Sequence, residues 1–155
     1  YTLLLTRNES LGPMGLIKSK ALLLQARAII ERFGVKATGP QAAARSLSGG
    51  NLQKFIVGRE ISAKPRLLLV SQPTWGVDVG AAAQIRSEIL ALRDAGCAVL
   101  VVSEELDELF EISDRMHVMS QGRVSPSIDR SAATTTLIGA WMSGLWHEGA
   151  LNVAA

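Results

Sequence analysis

Apolar residues recur at helical spacing between Lys20 and Phe33: Leu22, Ala26, Ile29, Ile30 and Phe33 share one face, and Gly34 follows as a helix-ending residue. A loop rich in Gly, Pro and Ala, GVKATGPQAAARS, leads to Ser48, a suitable N-cap for a helix running to about Ser62 and stopping before Pro65. The pattern then changes. RLLLVS (66–71) and CAVLVVS (97–103) are unbroken apolar runs of strand length, and between them GAAAQIRSEILALRDAG puts Ile85, Ile89 and Leu92 on one helical face. A strand, a helix and a strand in that order predict two parallel strands joined by a crossover. Further on, ELDELFEIS predicts a short acidic helix, and MHVMS and RVS flank Gln121-Gly122 as the arms of a hairpin do. A last helical pattern covers about Ala132 to Met142.

At 155 residues, with 48% apolar and 19% charged residues, the chain has the size and balance of a single globular domain. Its 16 basic and 14 acidic residues are spread without a basic block, which argues against a nucleic-acid partner. Runs such as CAVLVV are far too short to span a bilayer, and YTLLLTRNES lacks the basic and apolar regions of a signal peptide, so a cytosolic location is expected. The absence of an initiating Met beside an apolar first segment suggests a start inside a larger protein, with processing as the alternative. Cys97 has no second cysteine to pair with and reads as a buried, inert thiol. His117 and His147 have no second ligand at metal spacing, so both read as structural or surface residues and no metal site is expected. Glu104, Glu105, Asp107, Glu108 and Glu111 form a dense acidic run that reads as a solvated helix face, favourable near its N-terminus.

The most specific stretch is LSGGNLQK at 47–54, which sets a serine hydroxyl and two adjacent glycines at the mouth of a helix. Backbone N–H groups there lack intrahelical acceptors, the helix dipole favours an anion, and the missing side chains allow a phosphate to approach. Alone, such a start is more often a simple cap. The strand after that helix ends in S-Q-P-T-W-G-V-D, then come a helix, a second strand, E-E-L-D-E-L and S-D-R.

In that order these motifs resemble the nucleotide-binding subunit of ATP-binding cassette transporters, and most of all the second cassette of tandem ATPases that drive simple-sugar or nucleoside import. The resemblance covers about Tyr1 to Met142. It makes LSGGN the cassette signature, with Ser48, Gly49, Gly50 and Asn51 facing the γ-phosphate of ATP bound to the opposing cassette. RLLLVSQ becomes the Walker B strand, PTWGVDVGA carries the D-loop with Asp78, and VVSEELDEL is the switch segment with Glu104 where the family's histidine falls. Trp75 stands where a small or basic residue is often seen, available either to the opposing cassette or to local packing.

The resemblance also exposes departures. A phosphate-cradling GxxxxGK[ST] loop is nowhere in the chain, so the chain is expected to begin past its own main grip on ATP. Phosphoryl transfer needs charge near the γ-phosphate, and a working cassette ends its Walker B strand in Asp-Glu, one for the Mg²⁺ shell and one to polarise water. Ser71 and Gln72 stand there instead. An amide has no proton-accepting state near neutral pH, and Glu104 brings a negative charge toward a negative phosphate. The reading is a degenerate site with no catalytic residue, where Ser71 and Gln72 cap the strand and tie the turn.

The expected fold is α/β: the remainder of a helical subdomain over 1–62, part of a P-loop NTPase core with a parallel sheet over 63–145, and a tail over 146–155. The resemblance implies ATP and Mg²⁺ in the full assembly, with neither expected on the isolated chain, which should show no ATPase activity. Its implied partners are the other cassette and transmembrane permease subunits that hold it on the cytoplasmic face of the membrane. With earlier strands missing, self-association of the isolated chain is a further expectation. Two alternatives stand beside this reading: a full-length cassette that hydrolyses ATP at both sites, and a docking or regulatory module with no nucleotide role.

Overall fold

The computed structural model describes residues 18–146; the expectations for Tyr1–Ile17, for His147 and for the rest of the tail lie outside the described residues. The chain forms two compact units, one ending at Val102 and the other beginning at Ser103.

The first unit contains α1 (Ser19–Arg32), α2 (Gly49–Ser62), β1 (Leu67–Ser71), α3 (Val79–Asp94) and β2 (Ala98–Val102). The apolar stripe of α1 is buried at Ala26 and Ile29. The helix then stops at Gly34 (φ +58°), whose left-handed backbone lets Val35 N–H return to the Ile30 carbonyl at 3.0 Å. Phe33 packs on α2 at Gly58, where a Cβ would lie 2.5 Å from the ring. A glycine inside a helix costs about 1 kcal/mol relative to alanine, and here it makes room for Phe33, one of the most deeply buried side chains among the described residues. Arg32 ties α1 to α3 through a bidentate pair with Glu88 (2.9 and 2.6 Å), and the Gln84 amide donates to the Arg32 carbonyl at 2.5 Å.

β1 and β2 pair in parallel, in register from Leu67 with Ala98 to Ser71 with Val102, as the strand-helix-strand pattern predicts. The connecting helix buries Ile85, Ile89 and Leu92, the face read from the sequence. The sheet is covered unevenly: Leu68 is buried, whereas Leu69 is 64% and Leu100 56% exposed, with Leu67 and Val102 beside them. Parallel sheets are ordinarily covered on both faces. Cys97 is buried and its Sγ donates to the Ala98 carbonyl at 3.3 Å.

The second unit contains α4 (Leu106–Ile112), β3 (Arg115–Met116) antiparallel to β6 (Ile128–Asp129), β4 (Met119–Ser120) antiparallel to β5 (Arg123–Val124), and α5 (Thr135–Met142). The β4–β5 hairpin turns through Gln121 and Gly122, both at positive φ, which is the two-residue turn the sequence predicts. Met116, Val118, Ile128, Ala133, Ile138 and Trp141 form its core. Two expectations are corrected here. α5 starts at Thr135 because the Thr134 hydroxyl accepts from Leu137 N–H (3.2 Å), leaving Ala132 and Ala133 in the preceding turn. The acidic run is not uniformly solvated: Glu104, Glu105, Asp107 and Glu111 are exposed, but Glu108 is only 4% exposed because it falls on the buried face of α4 with Ile112.

Candidate functional site

The mouth of α2 is built by local capping. Ser48 Oγ accepts from Asn51 N–H (3.4 Å) and from Asn51 Nδ2 (2.8 Å), and the first intrahelical bond runs from Leu52 N–H to the Ser48 carbonyl at 2.9 Å. The N–H groups of Gly49 and Gly50 precede that bond and have no intrahelical acceptor. The Ser48 hydroxyl accepts twice from Asn51, so its own proton is available to a further acceptor. The Asn51 amide is engaged at both ends, since its Oδ1 accepts from Lys36 N–H at 2.8 Å. Asn51 therefore orients Ser48 and anchors the loop after α1.

The two glycines differ. A Cβ on Gly49 would meet nothing within 4 Å, whereas a Cβ on Gly50 would lie 2.5 Å from the Gly76 carbonyl oxygen. Gly49 keeps the mouth open to whatever approaches, and Gly50 is glycine because the turn after β1 packs on it.

That turn is held by backbone. Gln72 N–H donates to the Val102 carbonyl (2.7 Å), and Gln72 itself adopts φ +50° so that its carbonyl can accept from Trp75 N–H at 3.2 Å. Pro73 is fully buried, Ser71 is exposed, and Trp75 is 72% exposed, so local packing does not account for the tryptophan. Asp78 caps α3 by accepting from Ala81 N–H through Oδ1 (2.9 Å), while its Oδ2 accepts from Lys54 Nζ at 2.6 Å. The Lys54 ammonium, then the Ala81 N–H, hold the Asp78 carboxyl below its ordinary pKa.

Two residues outside the sequence-level site join these parts. Gln53 Nε2 donates to the Gln72 carbonyl (2.9 Å) and the Pro73 carbonyl (3.3 Å), and Lys54 reaches Asp78. Their signal is in the sequence: Gly50, Gln53, Lys54 and Val57 stand at i, i+3, i+4 and i+7, one helical face, with Val57 buried. The structure thus brings Ser48, Gly49, Gly50 and Asn51 together with the turn from Gln72 to Asp78. Glu104 belongs to the second unit, exposed and one residue before Glu105, whose N–H donates to Ser103 Oγ at 3.1 Å. His117 is also in that unit, with Nδ1 3.1 Å from the Ser125 carbonyl oxygen.

The mouth suits a phosphate: two N–H groups, a hydroxyl proton, a helix N-terminus and open space above Gly49 converge there. The tip of β1 does not suit Mg²⁺, a hard cation that takes carboxylate oxygens, because Ser71 and Gln72 offer only a hydroxyl and an amide.

No family model matches the chain. Individual relatives do. It is 45% identical over 119 residues to the nucleoside import ATP-binding protein NupA of Lactococcus lactis, covering 77% of this chain and 24% of that protein. It is 40% identical over 131 residues to the guanosine import ATP-binding protein NupO of Bacillus subtilis, covering 84% of this chain and 26% of that one. The ribose import ATP-binding protein RbsA of Bacillus subtilis is 39% identical over 126 residues, 81% of this chain and 26% of the relative. The chain spans about a quarter of the length of these relatives. Among solved structures, an inward-facing putative metal-chelate type ABC transporter aligns with a TM-score of 0.69 at 16% identity, over 92% of this chain and 56% of that one. A dimeric ATP-binding cassette bound to ADP and Pi aligns at 0.64 with 19% identity, over 76% of this chain and 50% of that one. These likenesses establish the fold as that of an ATP-binding cassette, in part.

Proposed function

Because this chain belongs to the ATP-binding proteins of ATP-binding cassette transporters, we propose that the mouth of α2 completes the ATP site of a partner cassette while the chain's own strand tip has lost its chemistry. The observation that carries this is the contrast in donors and acceptors. Ser48, Gly49 and Gly50 present three donors to an anion beside open space, and Asn51 holds the hydroxyl in that sense. Ser71 and Gln72 present no base.

ATP supplies the phosphate that this mouth receives. Ser48 Oγ–H and the N–H groups of Gly49 and Gly50 hold and orient it, and preorganised donors of this kind stabilise the charge that develops in phosphoryl transfer. Gln72 moves no proton: its backbone holds the turn. The names of the relatives support sugar or nucleoside import as the process served. In that setting the chain works on the cytoplasmic face against permease subunits and a second cassette; among the described residues no helix is long and apolar enough to cross a membrane. The exposed face of Leu67, Leu69, Leu100 and Val102 supports self-association of the isolated chain.

The test is Ser48→Arg in the reconstituted transporter. Steady-state ATP turnover should fall by about a hundredfold, equivalent to ~3 kcal/mol of oxyanion stabilisation. Turnover near wild type would remove the signature mouth from the reaction.

A further inference from the structure

Three independent ties cross between α2 and the turn that follows β1. Gln53 Nε2 bridges the carbonyls of Gln72 and Pro73 at 2.9 and 3.3 Å, Lys54 Nζ meets Asp78 Oδ2 at 2.6 Å, and the Gly76 carbonyl seats on Gly50 where no Cβ fits. Two of them end on backbone carbonyls, which any sequence at the strand tip supplies. The third ends on the residue that caps α3. Lys54 is 12% exposed although its charge must be solvated or paired, and Asp78 is the pair it has.

We propose that Gln53 and Lys54 are positioning residues that join the mouth of α2 to the 72–78 turn as one mechanical unit; its catalytic consequence rests on the reading given above. The strand tip then has a use that survives the loss of its carboxylates: through the Gln72 and Pro73 carbonyls it anchors the helix whose first turn faces the partner's nucleotide. The ties sit three and four residues beyond Gly50, about one helical turn from the mouth. A rotation of α2 about its axis therefore displaces Ser48 and Asp78 together. Neither residue reaches the mouth itself, so both act through Ser48, Gly49 and Gly50.

The experiment uses the full-length protein, alone for hydrogen exchange and reconstituted with its permease for turnover. Lys54→Met and Gln53→Leu should each speed amide exchange both at Asn51 and Leu52, whose N–H groups are bonded to Ser48, and in segment 74–82, although each variant lies in only one element. In the transporter each should lower kcat about tenfold with KM for ATP within about twofold, as expected when transition-state stabilisation falls and ground-state binding does not. Lys54→Arg still reaches Asp78 and should restore both exchange and kcat. Asp78→Asn keeps an oxygen for Ala81 N–H but loses the charge, so adding it to Lys54→Met should cost little more than either change alone. Exchange that rises at Asn51 and Leu52 only, or Lys54→Arg as defective as Lys54→Met, would overturn the unit. If Ser48→Arg is silent while exchange still rises in both segments, the partner-site reading falls and the mechanical unit stands. If Ser48→Arg abolishes turnover while Lys54→Met leaves turnover and exchange at wild-type values, the unit falls and the partner-site reading stands.

Discussion

The mouth of α2 and the tip of β1 are tied to each other, yet they differ in the groups they present. At the mouth, Asn51 orients the Ser48 hydroxyl, and the donors of Gly49 and Gly50 remain for a ligand. At the tip, the backbone geometry is intact, with Gln72 N–H on the Val102 carbonyl and Gln72 O on Trp75 N–H, but Ser71 and Gln72 carry no charge. On the proposed function, the difference teaches that architecture and chemistry can be lost separately. The carbonyls of Gln72 and Pro73 accept from Gln53 whatever side chains the strand tip carries.

The largest effect that would break this contrast is at the mouth, where Ser48→Arg should cost about a hundredfold in turnover. Gly50 should come next, through folding. Its alanine variant drives a methyl into the Gly76 carbonyl, and overpacking of this kind costs about 1–3 kcal/mol. The thermal midpoint of the full-length Gly50→Ala protein should drop, while Gly49→Ala, with open space at its Cβ, should leave it unchanged. A smaller effect is expected at Asn51. Asn51→Ala leaves the mouth in place but frees the Ser48 hydroxyl and the Lys36 N–H, so turnover should fall about fivefold, for a hydrogen bond of about 1 kcal/mol.

The smallest effect concerns pH. The Asp78 carboxyl has a lowered pKa in the fold, so its contribution is present above the ordinary value of 3.8 and is lost only as pH falls through the still lower folded value. Amide exchange in the 74–82 segment, corrected for its intrinsic pH dependence, should therefore be flat between about pH 5 and pH 8. A change across that range would mean that the Lys54–Asp78 tie does not hold the turn.

Much of this was legible in the sequence. The Ser48 cap, the glycine pair, the two apolar strands and the face of Ile85, Ile89 and Leu92 all rest on local rules, and each element appears within a residue or two of its expected bounds. What was not legible depends on distant partners. Nothing near Gly50 in the chain says that Gly76 will seat on it, and although Gln53 and Lys54 share a helical face with Gly50 and Val57, nothing local says that Gln72 and Asp78 are their partners. Glu108 shows the same limit in the second unit, where a run of acids reads as solvated although packing selects one of them for burial.

The proposed divergence of mouth and tip is tested most directly by measuring steady-state ATP turnover of Gly49→Asp and Gln72→Ala side by side in the reconstituted transporter. Gly49→Asp adds a negative charge in open space at the helix mouth, so the chain folds and turnover should nearly vanish. Gln72→Ala leaves the carbonyl that Gln53 uses, and turnover should fall by no more than about threefold, within the range of a surface substitution. A Gln72→Ala loss as large as that of Gly49→Asp would show that the strand tip still takes part in the chemistry.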